Sequence, residues 1–454
     1  MTLKINIELP VFLLFFSLNF SDLITKNFVI YSTCYITLKY NQSDCALLGI
    51  NYTDNATALL EQKVQPHAAV IFTCFGIIQV FFAPIMCFLL GPWSDKYGRK
   101  PVLIATLGGL MISSVLRTVI TAIPNISPWY LLIGLLPSCI VGGLPAAITV
   151  VLCYIVDVTD EQERVVKMYI FEGLIAIGTI IGSLTCSEAL ITLSYAGVFG
   201  ISTLCVVVAL LYVILFVPES VQHVHTEGKL RSLFCLTTFT STVKTIIKRR
   251  ENYSRGILIG ILAIMTFSIF ILLGEGEILF LYLREIFGWN MQLYTFYNSI
   301  VGVVQIFGGI LSVCLFRKVM RLKETTVIGV SFVFCMMATL MLALAREDWQ
   351  IYVGGTLKFM GVAISPMARS LLSKVVPSEE TGKVFSMLTA LETVGALLGN
   401  TIYTAIYKAT LDLFPSAFFF VSIGVDVIIL VILSVIIVLR RYDSQATYAP
   451  IAKE

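Results

Sequence analysis

Ionisable side chains interrupt the long apolar stretches of this 454-residue chain, and chemistry is to be sought at those interruptions. A charged group in hydrocarbon costs at least about 2.5–3.5 kcal/mol, so it is kept where it binds or moves something. Glu172 stands early in one stretch with no Lys or Arg within four residues along the chain, which suits a carboxyl that loads and releases a proton. Glu275 and Glu277, in Gly274-Glu-Gly-Glu277, suit an outer gate or a proton access route. Arg369 follows Pro366 in another stretch. Its planar fork fits a carboxylate bidentately, so it reads as an anion-binding residue or as the cation of a gating pair. Glu392 holds in the second half of the chain the place that Glu172 holds in the first. Asp22 and Lys26, four residues apart, suit a structural pair, and Arg117 and Lys358 suit pairing or snorkelling. No Cys/His spacing fits a metal site, and no cofactor motif accompanies the set. Protons and small anions are the species that such residues handle.

The elements that position them must be membrane helices. The chain is 57% hydrophobic and only 13% charged, where a soluble domain carries about 25% charge. Twelve apolar stretches occur near 9–31, 68–90, 101–123, 128–156, 169–191, 195–217, 256–283, 292–316, 325–345, 350–373, 385–408 and 414–439. Lipid leaves no partner for exposed backbone groups, so these are predicted as helices and the chain as an all-α membrane protein. The first carries Asp22 and Lys26 and lacks a cleavage site, so it reads as a span rather than a signal peptide. With both termini cytoplasmic, 22 of the 31 Lys and Arg fall inside, six outside and three within spans. The net charge of +3 does not suggest a nucleic-acid partner. The outer loop, about 32–67, holds three glycosylation acceptors, Asn41, Asn51 and Asn55. Cys34 and Cys45 share that loop and face an oxidising side, where a disulfide is open to them.

The chain divides into an amino-terminal half (1–217), a basic cytoplasmic linker (218–255), a carboxy-terminal half (256–439) and a tail (440–454). The halves read as parallel repeats. Thr159-Asp-Glu leading to Glu172 matches Ser378-Glu-Glu leading to Glu392 at a shift of 219–220. Gly178-Thr-Ile-Ile-Gly182 and Gly395-Ala-Leu-Leu-Gly399 follow in each half. Thr159 and Ser378 suit helix N-caps. Six plus six spans with such a repeat is a transporter architecture, with the substrate site near mid-membrane.

Between the second and third spans stands Gly91-Pro-Trp-Ser-Asp95-Lys-Tyr-Gly98-Arg99-Lys100. This resembles the G-x-x-x-D-x-x-G-R-[KR] gating signature of the major facilitator superfamily. The resemblance implies that Asp95 faces a helix N-terminus in the other half, that Arg99 reaches a second carboxylate, with Asp157 as candidate, and that these contacts break when the inner side opens. Tyr154-Ile-Val-Asp157, Gly274 to Tyr282, Ile364-Ser-Pro366-Met-Ala-Arg369-Ser-Leu-Leu-Ser373-Lys374 and Thr381-Gly382-Lys-Val-Phe385-Ser386 resemble the proton-coupled folate transporter family, solute carrier family 46. That resemblance places Asp157, Glu172 and Arg369 on positions tied to proton coupling and substrate binding. The chain departs from the folate-carrying pattern in two places. Leu272 and Leu273 stand where that pattern has a histidine, and Gly288 stands where it has a cysteine bonded to the first outer loop. The second departure favours pairing of Cys34 with Cys45.

The expected function is secondary active transport, a proton-coupled symport of a small organic anion such as a folate-like compound, a muropeptide or an anionic conjugate. Protons are the coupling ion, and no cofactor or enzymatic activity is expected. A proton-independent facilitator or exchanger and a non-transporting receptor-like protein are the alternatives. Proton coupling falls to Glu172, Asp157, Glu275 and Glu277, and substrate binding to Arg369 and Glu392. Tyr448-Ala-Pro-Ile451 in the tail fits a Tyr-x-x-apolar sorting pattern read by adaptors. The expected location is the plasma membrane, with the endolysosomal membrane as alternative.

Overall fold

The computed structural model describes residues 7–46, 48, 55–221, 236–248, 254–289, 291–313, 316, 320 and 322–447. Among them there is no strand. The chain forms two compact units. One takes Met1–Val158 with Ile170–Thr238, the other Thr159–Tyr169 with Phe239–Glu454.

The first unit contains α1 (Glu8–Ser32), α2 (Asn55–Tyr97), α3 (Arg99–Ala122), α4 (Leu131–Ile140), α5 (Gly143–Val158), most of α6 (Glu161–Thr192) and α7 (Tyr195–Phe216). After the short α8 (Leu236–Ile247), the second contains α9 (Ser254–Phe287), α10 (Met291–Val313), α11 (Glu324–Ala343), α12 (Asp348–Leu357), α13 (Ile364–Val375), α14 (Thr381–Thr410) and α15 (Ala417–Thr447). Among the described residues ten helical stretches are long and apolar enough to cross a membrane, with α4 and α5 joined in one and α12 and α13 in another. With α10 (23 residues) and α14 (30 residues) they account for the twelve expected spans.

Several helices run past their apolar stretches. α2 spans 43 residues, beginning in the expected outer loop, because Asn55 to Gln65 is rich in Ala, Leu, Glu, Gln and Lys, all good helix formers. α6 starts at Glu161, so Thr159 lies a residue too early to be its N-cap. Ser378 opens a 3₁₀ turn ahead of α14 instead.

Each unit holds its first and fifth spans together by the same device. A side chain at Gly178 or Gly182 would collide with the backbone of α1 at Phe12 to Phe20. One at Gly395 or Gly399 would collide with the backbone of α9 at Thr266 and Phe270. Small residues let helix backbones approach in lipid, where packing rather than water drives association. In the second unit an aromatic core of Tyr282, Trp289, Tyr297, Tyr403, Phe418 and Phe419 fills the space around these helices. At one end of the first unit the disulfide Cys34–Cys45 is buried with Leu48 and Val64.

Candidate transport site

In the first unit, charge gathers where α2 turns into α3. Gly98 makes the turn with φ +102°, a region open to glycine. Arg99 follows with its side chain 1% exposed. Its Nη1 lies 2.7 Å from Asp95 Oδ1 and donates to Ser94 Oγ at 2.6 Å, and its Nε lies 3.0 Å from Asp157 Oδ2. A buried guanidinium between two carboxylates is compensated on every side, which is the condition for keeping it out of water. The structure thus joins three of the residues singled out in the sequence, Asp95, Arg99 and Asp157.

Two further partners come from just beyond α7. Glu219 accepts from the backbone amides of Arg99 (2.8 Å) and Lys100 (3.1 Å), so a carboxylate caps the positive end of α3. Ser220 Oγ donates to Asp157 Oδ2 at 2.9 Å. A Cβ on Gly98 would run into the Glu219 carboxylate, so this glycine is needed for contact as well as for conformation. Glu219 and Ser220 were not expected. They follow directly on an apolar stretch, where an acid reads as the first residue of a solvated linker. An acid and a hydroxyl so close to the membrane boundary were the available signal.

In the second unit, Arg369 on α13 donates through Nη2 to Glu392 on α14, at 3.2 Å to Oε1 and 3.5 Å to Oε2. Both side chains are nearly buried, 9% and 12% exposed. Lys358 pairs with Glu275 of α9, and Asp426 of α15, 3% exposed, interacts electrostatically with both. Asp426 is not among the residues singled out in the sequence. The signal was plain, a single acid in the apolar run Val421 to Leu430. Glu275 and Glu277 part company. Two residues apart on a helix is 200° around it, so Glu275 is buried while Glu277 is exposed. Nearer the end of α13, Lys374 Nζ lies 2.7 Å from Glu324 and 3.8 Å from Glu161, and Arg164 donates to Ser373 Oγ at 3.0 Å.

The fourth and tenth spans are each broken. Gly142 and Gly143, with φ +83° and +53°, separate α4 from α5. A 3₁₀ turn, Lys358–Ala363, separates α12 from α13, just ahead of Pro366, which has no N–H to continue the helical ladder. Gly142 and Gly361 are 219 positions apart, the same shift that relates Thr159 to Ser378. Non-helical backbone at membrane depth is tolerated where it is buried in protein or lines a cavity, and transporters place their sites at such breaks.

Of the remaining residues, Glu172 is half-buried on α6. Gly91 is buried within α2. Asn41 is exposed near the disulfide, Asn55 begins α2, and Asn51 lies outside the described residues, as do Tyr448 and Ile451. Among the described residues no group of three His, Cys, Asp or Glu is placed to hold a metal ion.

The pattern of the Major Facilitator Superfamily matches residues 14–400. The probable peptidoglycan muropeptide transporter SLC46 of Drosophila melanogaster is 30% identical over 423 residues, 90% of this chain and 80% of that one. The chain belongs to the major facilitator superfamily, within solute carrier family 46. The proton-coupled folate transporter of Bos taurus is 24% identical over 83% of this chain and 82% of its own length. Among solved structures, the human organic anion transporter MFSD10 superposes with a TM-score of 0.68 at 14% identity, over 94% of this chain and 98% of that one, which shows a shared fold. The chain is therefore a multi-pass membrane transporter and not an enzyme.

Proposed function

We propose that this transporter is a symporter that carries a small organic anion together with a proton by alternating access. The observation that carries the reading is the Arg369–Glu392 pair, nearly buried and set just after the break in the tenth span. A substrate carboxylate competes with Glu392 for the guanidinium fork, so binding exchanges one anion for another at a fixed cation. Glu392 gives up that cation, and a proton neutralises the carboxylate at membrane depth. Glu172, Asp157, Glu275 and Glu277 are the carboxyls assigned to proton coupling. Making and breaking the Asp95–Arg99–Asp157 contacts accompanies the change of access.

Muropeptide-like anions are the favoured substrate class. The Drosophila relative is named for them and shares more residues with this chain than the bovine folate transporter does. Leu272 and Leu273 moreover stand in place of the folate pattern's histidine. With both termini cytoplasmic, the disulfide loop and Asn41, Asn51 and Asn55 lie outside or in an organelle lumen. The plasma membrane is the assigned location. The tail pattern at Tyr448 and Ile451 gives adaptors a means of cycling the protein to acidic endolysosomes.

The test is uptake of labelled muropeptide, reduced folate and steroid sulfate at outside pH 5.5 and 7.4. Acid-stimulated uptake that saturates for one of these anions is the expected result. Equal uptake at both pH values would make the protein a facilitator or exchanger, and binding without uptake a receptor.

A further inference from the structure

The second unit holds a charge cluster that the anion site does not use. Glu275 and Asp426 are 7% and 3% exposed; Lys358 pairs with Glu275 and interacts electrostatically with Asp426. Glu275 Oε2 is bonded to Lys358 Nζ, while its Oε1 is buried with no hydrogen-bond partner among the described residues. A carboxylate oxygen shut away from water without a donor is costly, and it marks a place where a donor belongs in some state of the protein. Among the described residues, the further titratable groups that interact electrostatically with the cluster from the packed helices are Cys335 of α11, Tyr297 of α10 and Tyr403 of α14. None of these adds a positive charge. Two acids and one lysine therefore carry one negative charge in a buried site, and one added proton neutralises it.

The repeat isolates what is special here. Cys139 and Lys358 are 219 positions apart, and Cys139 lies near Arg117 of α3 as Cys335 lies near Lys358. In that layer of the first unit the exposed Asp22 of α1 pairs with Lys26 at 2.7 Å and interacts electrostatically with Arg117. The acid there is amply matched by cations. The position 219 before Asp426 is Val207, so the surplus carboxyl belongs to the second unit alone.

We propose that Glu275, Lys358 and Asp426 form a proton-binding site enclosed in the second unit, with Asp426 as the seat of the proton and Lys358 as the fixed counter-cation. The aspartate takes up one proton to become a carboxyl, and the cluster then carries no net charge. Release returns it to the carboxylate. A hydroxyl pair, Tyr403 with Ser422 at 2.7 Å, lies one helical turn before Asp426 on α15 and offers a relay toward that end of the helix. The site sits at the 3₁₀ turn that begins at Lys358, so its charge state acts on the break in the tenth span and on Arg369 beyond it. This rests on the proton-coupled reading above and adds a residue to it.

The test counts protons rather than transport. Purified protein in detergent is titrated between pH 5 and 8 with an indicator dye, alongside Asp426→Asn, Asp426→Glu and Glu172→Gln. Asp426→Asn is expected to bind one proton fewer per molecule than wild type, and Asp426→Glu to restore it. Glu172→Gln keeps the proton seated at Asp426. An unchanged count in folded Asp426→Asn overturns the proposal, whether or not uptake is acid-stimulated. Should Asp426→Asn fail to fold, wild type is treated with an apolar carbodiimide, which adds to protonated buried carboxyls. Mass-mapped labelling of Asp426 or Glu275 at pH 5.5 that falls away by pH 8 supports the site. Absence of pH-dependent labelling at both overturns it. A purely structural ion pair moves melting temperature and leaves the proton count alone.

Discussion

Arg369 and Glu392 meet across two helices of one unit, guanidinium Nη2 to carboxylate Oε1 at 3.2 Å, with both side chains nearly buried. Nη2 lies 3.2 Å and 3.5 Å from the two oxygens of that carboxylate, so one arm of a planar fork faces it. Arg369→Lys keeps the charge and loses the fork. A charge-assisted hydrogen bond is worth about 1.5–3 kcal/mol, so uptake per unit KM is expected to fall about 10-fold or more. The exposed Arg346 serves as control, and Arg346→Lys should leave uptake unchanged. Wild-type affinity in a well-expressed Arg369→Lys protein would remove Arg369 from the substrate site.

Glu172→Gln should bind substrate but lose coupling. The amide keeps size and hydrogen-bonding capacity but cannot take up a proton. Counterflow exchange, which needs no net proton movement, is expected to persist. Uptake driven by an inward proton gradient is expected to fall to the level seen without one. Wild-type acid stimulation in this variant would exclude Glu172 as the coupling carboxyl.

The spans were legible in the sequence because bilayer thickness demands long apolar runs, and the repeat was legible because acids and glycines recur at one shift. What was not legible is tertiary. Arg99 finds Glu219 at 120 positions' distance and Lys358 finds Glu275 at 83, and no local period records such meetings. Glu219 was read as linker because charge at a membrane boundary is ordinary. Asp426 was passed over, although the rule that singled out Glu172 applies to it equally. Glu275 and Glu277 adjoin in the sequence, but helical geometry puts neighbours two apart on different sides, so their surroundings differ. The Arg369–Glu392 pair was half visible. Each residue stood out, but only the packing of α13 on α14 joins them.

The Cys34–Cys45 bond should stabilise its end of the first unit. Its Cα atoms are 5.7 Å apart and it closes a short loop over buried Leu48 and Val64. Such a crosslink contributes about 2–4 kcal/mol, largely by restricting the unfolded chain. The double variant Cys34→Ser with Cys45→Ser is expected to melt several degrees lower than wild type. Reductant should lower wild type by the same amount and leave the variant unmoved. Equal melting of all three would deny the bond a stabilising role.

The topology has a direct readout. If the loop holding Cys34 and Cys45 is lumenal, Asn41→Gln, Asn51→Gln and Asn55→Gln each remove one glycan's worth of mass on a gel. The triple variant should run with enzymatically deglycosylated wild type. Asn252-Tyr-Ser also fits the acceptor pattern but lies on the cytoplasmic side in this topology, so Asn252→Gln should run as wild type. A mobility shift in Asn252→Gln alone would invert the orientation.

Gly98 and Glu219 make the last prediction, because one contact underlies both. Gly98→Ala places a methyl group at φ +102° and into the Glu219 carboxylate. Backbone strain of this kind costs about 1–3 kcal/mol, and the collision adds to it. Glu219→Ala leaves the amides of Arg99 and Lys100 without their acceptor, at a cost of about 0.5–2 kcal/mol for a lost cap. In the double variant the methyl group no longer meets a carboxylate, and only the strain and the lost cap remain. The double variant should therefore melt higher than the sum of the two single losses predicts. Melting followed by size-exclusion chromatography measures all four proteins. Strict additivity would mean that Glu219 does not stand against Gly98, and that the cap on α3 comes from another group.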